Sequence, residues 1–230
     1  MPAGERAEKV DGRRARWAGQ HERRREQFVD AALDAIAEHG PEVSTAQIAD
    51  AAGVARTRLY KHFADAADLQ RAVAGRAAAS VAAALEPVWQ PHGTPMEMIR
   101  NGVGAYFGWL RRNADLYRYL SRNMRGQEAV ADIKSAIGGH LGDLFAGYLT
   151  AVGGEPGPAD PLGYGIVGLV DAATLHWLDQ PGGLPPEQLS ELLARAIWNM
   201  LDGALRAQGY VLEPDRELDL IAMGREDAEA

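Results

Sequence analysis

Between Glu22 and His39 the apolar positions Phe28, Ala31, Ala32, Ala35 and Ile36 recur at three- and four-residue steps, and Gly40-Pro41 follows them. That period places them on one face of a helix, and the Gly-Pro pair ends it. Next, Ser44 followed three residues later by Gln47 fits a capping box, which predicts a short helix through Ala52 with Ile48 and Ala49 inward. Gly53 breaks it, because a helix that ends in a tight turn calls for left-handed backbone, which a side chain resists. Helix resumes over Arg56 to Phe63, with Leu59 and Phe63 four apart on one face. Asp65 is placed to cap a long fourth helix that carries Leu69, Val73, Ala77, Val81 and Leu85.

The same logic predicts helices at Pro95 to Arg112, Asp115 to Arg125, Glu128 to Val152, Pro161 to Leu178 and Pro185 to Gln208. Gly/Pro-rich stretches, GGEPGPADP and QPGGLPP, punctuate the last two. No stretch reads as a strand and no repeat is visible. The fold class expected is all-α: an amino-terminal three-helix helix-turn-helix domain plus a larger helical domain. In segments this gives a flexible basic arm over 1–21, a helix-turn-helix domain over 22–68, a helical ligand-binding and dimerisation domain over 69–210, and an acidic tail over 211–230 that frays.

Composition changes that picture in one respect. With 24 Lys+Arg against 32 Asp+Glu the net charge is −8, which argues against a protein that coats nucleic acid with its whole surface. The average hides an asymmetry: Arg13, Arg14, Arg16, Arg23, Arg24 and Arg25 are opposed only by Glu22 over their span, and the chain after Phe63 is mainly acidic. An anionic partner is therefore expected at the amino-terminal part. There is no cysteine, hence no disulfide and no thiolate metal site, and no apolar run of signal-peptide or membrane-span length. A cytoplasmic protein that does not enter a membrane is expected.

Two short helices joined by a glycine turn form the helix-turn-helix pattern, in which the first braces the second against the major groove. Small Ala49 lies four residues before Gly53, where the helices cross closely, and Leu59 six after it plugs the second helix into the core. The run STAQIADAAGV followed by RTRLYKHFADAADL resembles the TetR/AcrR family of transcriptional repressors over about Arg23 to Ala72, most specifically in Leu59-Tyr60-Lys61-His62-Phe63 and the acidic helix start Asp65 to Leu69. One departure is Ala66-Ala67, where many relatives carry a lysine or glutamate. With Leu59 and Phe63 inward, Arg56, Thr57, Arg58, Tyr60, Lys61 and His62 face outward. Arg56, Thr57 and Arg58, at the helix start, are the base-reading candidates, since arginine grips guanine bidentately. Lys61 is placed for a base or a phosphate. The resemblance implies phosphate contacts for Tyr60 and His62. Ser44 and Thr45, at the start of the bracing helix, complete the expected phosphate surface, with the arm residues Arg23, Arg24 and Arg25 placed to follow the phosphate backbone or to enter the adjacent minor groove. The competing account of such charges is a solvated helix face.

Further along, Tyr106 and Trp109, then Tyr117 and Tyr119, set amphipathic aromatics beside apolar residues, with His140, Phe145 and Trp177 as further members. Such a lining suits a mainly apolar small-molecule effector held by a few polar groups; the same pattern also fits an ordinary helical core. The resemblance implies an inducer there. The last two helices, through Ile166, Leu169, Val170, Ala173 and Trp177 and then Leu189, Leu192, Leu193, Ile197, Met200 and Leu205, suit the four-helix seam of a homodimer.

GYGIVG, Gly163 to Gly168, satisfies the dinucleotide fingerprint, yet lacks the preceding strand that motif requires; small residues that let helices pack closely, at a dimer seam, are the better account. The six histidines have no ligand spacing and no catalytic signature is present, so no metal, no cofactor and no enzyme are expected. The function expected is a dimeric, ligand-responsive regulator, a repressor, on double-stranded DNA with a pseudo-palindromic operator. The alternatives are a helical scaffold without DNA function and a nucleotide-dependent oxidoreductase built on GYGIVG.

Overall fold

The computed structural model describes residues 3–89, 92–122, 124–180 and 183–217, with side chains from residue 19 onward except 124–126. Its helices are α1 (Ala3–His39), α2 (Thr45–Ala51), α3 (Arg56–Leu59), α4 (Ala66–Leu85), α5 (Pro95–Arg112), α6 (Ala114–Ser121), α7 (Met124–Ala151), α8 (Ala159–Leu178) and α9 (Pro186–Ala207), with a 3-10 turn at Glu86–Val88. No strand occurs among the described residues.

Local chemistry accounts for most of the boundaries. At Ser44 both halves of the capping box form: the hydroxyl accepts from the Gln47 backbone, and the Gln47 side chain accepts from the Ser44 N–H. Thr94 and Glu97 repeat the device at α5, with Pro95 in the first helical position. Asp65 Oδ1 accepts from the Asp68 N–H at 2.7 Å and so opens α4. Gly40 and Gly53 adopt φ of +77° and +66°, the left-handed turns that end α1 and α2.

Three expectations change. The first helix begins at Ala3 rather than Glu22, so the segment read as a flexible arm continues α1; Ala, Glu, Lys and Arg dominate it, all good helix formers. The helix expected over Arg56 to Phe63 is regular only to Leu59. Beyond it the Lys61 and His62 amides bond three residues back, to Arg58 and Leu59, the tighter winding that commonly closes a helix. The start of the tail docks rather than frays: Leu212 packs on the Leu149, Ala159 and Leu205 cluster, and the Pro214 carbonyl accepts from the Met96 N–H at 3.0 Å. Residues 218–230 lie outside the described residues.

The chain divides into two compact units, Met1–Ala77 with Asp115–Ala129, and Ala78–Ala114 with Val130–Ala230. The first is built on Phe28, Ala32 and Ile36 of α1, Ile48 and Ala49 of α2, Leu59 and Phe63, and Leu69 and Val73 of α4, all buried. It also takes in α6, whose Leu116, Tyr117, Tyr119 and Leu120 are buried; Tyr119 is hydrogen-bonded to Gln70 of α4, and burial raises its phenol pKa. These compact units thus differ from the 22–68 and 69–210 segments.

In the second unit α5 packs on α8 and α9. GYGIVG lies within α8, with no strand before it. Its first glycine brings α8 against α7 of the same chain: a Cβ on Gly163 would overlap the Gly138 carbonyl and the Gly142 backbone, and one on Gly142 would press the Asp160 backbone at 3.1 Å. Close packing is therefore what this glycine serves, within one chain rather than at a dimer seam. We expect Gly163→Ala to destabilise the protein by about 1–3 kcal/mol, because backbone cannot step aside. Gly168→Ala, where a Cβ meets nothing within 4 Å, is expected to be neutral or to gain up to about 1 kcal/mol from helix propensity. Urea denaturation of the two variants checks the contrast.

Candidate nucleic-acid interface and internal cavity

Leu59 has no exposed surface and Phe63 only 1%, so α3 is anchored on one side and its remaining residues turn to solvent. Arg56, Thr57, Arg58 and Lys61 are all exposed. Tyr60 is half-buried; the neighbouring Thr45 side chain and Arg56, which donates to its hydroxyl at 3.4 Å, together lower the phenol pKa. Thr45, Arg56 and Tyr60 thus meet where α2 begins, beside the face that carries Arg58. Ser44 is exposed, with its hydroxyl and amide both engaged by Gln47. Arg23 and Arg24 are exposed on α1, Arg24 donating to Gln27 at 2.7 Å.

Two residues expected on DNA are placed otherwise. Arg25 is turned into the unit: it donates to both Asp68 oxygens, at 3.0 and 3.1 Å, and to the His62 carbonyl, with its guanidinium over the Phe63 ring at 4.3 Å. A planar fork beside a carboxylate makes the bidentate pair, and it ties α1 to the head of α4 and to the turn after α3. His62 packs its ring against His21 and Phe28, with centroids 4.7 and 5.4 Å away, and its Nδ1 is buried without a hydrogen-bond partner. Burial, then the neighbouring His21, Arg24, Arg58 and Arg25 charges, lower its pKa. The sequence offered a signal for the Arg25 role, since Asp68 is one of the acids at the α4 start, but not the partner.

The second unit holds a cavity of about 680 Å³ lined from α5, α7, α8 and α9 and also by Leu85, Val88 and Trp89. Of the expected lining residues, Tyr106, His140 and Phe145 border it and Trp109, Tyr117, Tyr119 and Trp177 do not. Trp109 is buried with its indole N–H on Ser80 at 2.9 Å. Trp177 donates to the Leu184 carbonyl and lies edge-on to Phe107. Tyr117 and Tyr119 belong to the core of the first unit. Missed in the sequence were Trp89, Tyr148, Trp198 and Leu212, which lie on four separate segments that no local period connects. The Tyr106 hydroxyl donates to Asp171 at 2.9 Å, and Lys134 pairs with the other oxygen of that buried carboxylate at 2.5 Å.

A glycine-turned helix pair with an anchored inner face and a cationic outer one defines a helix-turn-helix DNA-binding protein. The description of bacterial regulatory proteins of the tetR family matches residues 28–73. An HTH-type transcriptional regulator of Mycobacterium tuberculosis is 31% identical over 216 residues, covering 91% of this chain and 90% of that protein. The chain belongs to the TetR family of transcriptional regulators, a family of regulators and not of enzymes. Among solved structures, a tetR-family regulator of Streptomyces coelicolor superposes with a TM-score of 0.63 at 21% identity, covering 88% of this chain and 89% of that one. FadR of Bacillus subtilis in complex with stearoyl-CoA does so with 0.60 at 19%, covering 75% and 96%. No described helix is long and apolar enough to cross a membrane.

The Arg25–Asp68 pair is expected to carry stability. Arg25 and the Ala64 amide hold the Asp68 carboxyl well below its ordinary value of 3.8. A depressed carboxyl stabilises the folded state above the unfolded value, and that stability is lost as the pH falls below it. Side-chain exposures of 22% and 19% leave the pair partly screened, so Arg25→Ala or Asp68→Asn should cost about 1–3 kcal/mol at neutral pH. Below pH 4 the gap between Asp68→Asn and the parent should narrow in thermal melts; a gap constant down to pH 2 contradicts the pairing.

Proposed function

We propose that this regulator is a homodimer that binds a pseudo-palindromic operator and, as a repressor, leaves it when a small, largely apolar effector enters the cavity. The observation that carries the DNA half is the exposed Arg56, Thr57, Arg58 and Lys61 face on a helix whose opposite side is buried through Leu59. Arg56, Thr57 and Arg58 read base edges in the major groove, and Lys61 reads or grips the phosphate beside them. Thr45 and Tyr60, whose side chains interact, hold phosphate with Ser44, Arg23 and Arg24. Arg25 and His62 act indirectly, by fixing the turn after α3.

The effector half rests on a cavity whose size lies within the range of small-molecule sites, roughly 300–1,000 Å³. A neighbour described as a complex with stearoyl-CoA and another described as a multidrug binding protein support an effector of apolar character. Leu85 at the end of α4 borders the cavity, and Asp68 near its start holds Arg25; a shift of that helix on effector binding is the proposed route to lower operator affinity. The effector must bind the released state more tightly, or it shifts nothing. For the dimer, Tyr164 of α8 and Leu192 of α9 are exposed at 45% and 54%, whereas Val170, Leu189, Leu193, Ile197 and Leu205 are buried within the chain; the seam falls to the former set.

Operator titration tests the DNA surface. Arg58→Ala should lose about 1–3 kcal/mol of operator affinity and relax the sequence preference. Tyr60→Phe should weaken all sequences alike through a lost phosphate contact. If both variants keep the parent's affinity and salt slope, the assignment of this face is wrong, and a chain that retards no DNA at all is a scaffold.

A further inference from the structure

Polar groups are sparse around the cavity, and three of them share one property. Trp89 and Trp198 each bring an indole N–H and Tyr148 a hydroxyl, and none of the three makes a hydrogen bond within the described chain. An indole nitrogen can only donate, and a phenol is a ready donor. Burial raises the pKa of the Tyr148 phenol, which keeps it in its donating form. Tyr106 differs, because its hydroxyl is already given to Asp171.

Charge narrows the choice further. Among the described residues no lysine or arginine borders the cavity; the ionisable groups that do are Asp143, which is exposed, and His140, whose imidazole packs on the Trp89 ring at 4.2 Å. Lys134 of α7 is held by Asp171 and Arg100 of α5 by Glu191, at 2.5 and 2.9 Å. An anionic head group drawn into this wall would lose its hydration with no lysine or arginine to replace it and only the His140 imidazole, already packed on Trp89, to meet it, a cost that burial makes large. A lipophilic cation would find aromatic faces, but the carboxylate that borders the cavity is solvent-exposed, worth little in water, and a cation offers the three donors no acceptor.

We infer that the cavity takes an uncharged, largely apolar molecule bearing hydrogen-bond acceptors such as carbonyl or ether oxygens, received by the donors of Tyr148, Trp198 and Trp89. This rests on the reading of the cavity as the effector site, and it names the class of effector. Tyr148 and Trp198 stand on different helices, α7 and α9, so acceptors at two separate points of the ligand would be matched.

Calorimetric titration of the full chain with three sets of probes tests the class: neutral ketones (progesterone, menadione), anions (palmitate, salicylate) and cations (tetraphenylphosphonium, ethidium). A neutral ketone should bind about tenfold or more tightly than any probe of the other sets, a gap of about 1.4 kcal/mol. Tyr148→Phe and Trp198→Phe, with circular dichroism and melting temperature unchanged, should each weaken progesterone about 3- to 10-fold. Neither should alter binding of androstane, the hydrocarbon frame without the acceptors. A preference for an anion or a cation, no binding of either ketone, or equal weakening of progesterone and androstane overturns the inference. If a ketone binds as described but leaves DNA affinity unchanged, the ligand class stands and the effector reading fails.

Discussion

A helix of four residues cannot hold its own shape in water, since nucleation fixes several dihedrals before any hydrogen bond repays them. That constraint governs the amino-terminal unit. α3 exists because its neighbours impose it: Leu59 is fully buried, Tyr60 at its far end interacts with Thr45 at the start of α2, and Arg25 clamps the following turn through the His62 carbonyl and Asp68. A helix so short gains rigidity from this support, and rigidity is what the base recognition proposed for it would require.

The cations near the interface therefore divide by environment rather than by residue type. Arg56 and Arg58 are exposed and remain available to an anion. Arg25, on the same amino-terminal surface in sequence, is taken by a carboxylate and an aromatic face. Net acidity of the chain fits this division, because on the proposed reading phosphate affinity is confined to one face and is strongly salt-dependent.

Sequence legibility followed the range of the interactions. The helix-turn-helix was readable because its signals are local: the Ser44–Gln47 box, the Gly53 turn and the Leu59 plug all act within a few residues, and each stands where the pattern put it. The limits of α5 through α9 were close for the same reason. What failed was long-range. Arg25 and Asp68 are 43 residues apart, and nothing local distinguishes Arg25 from Arg24. Tyr117 and Tyr119 looked like lining because aromatic spacing reveals an inward face but not which core receives it. The cavity itself is assembled from Trp89, Tyr148 and Trp198, whose convergence depends on how four helices pack. Gly163 shows an intermediate case: its need for space was legible, and its partner helix was not.

The central claim is that the outward face of α3 reads DNA. Selecting genomic fragments with the purified protein and footprinting the bound ones tests it most directly. The account predicts two protected half-sites related by twofold symmetry, with centres about 34 Å or a multiple of it apart, and loss of both footprints when Arg56 and Arg58 are replaced by alanine. Enrichment of no fragment over random, or footprints unchanged in that double variant, would contradict it.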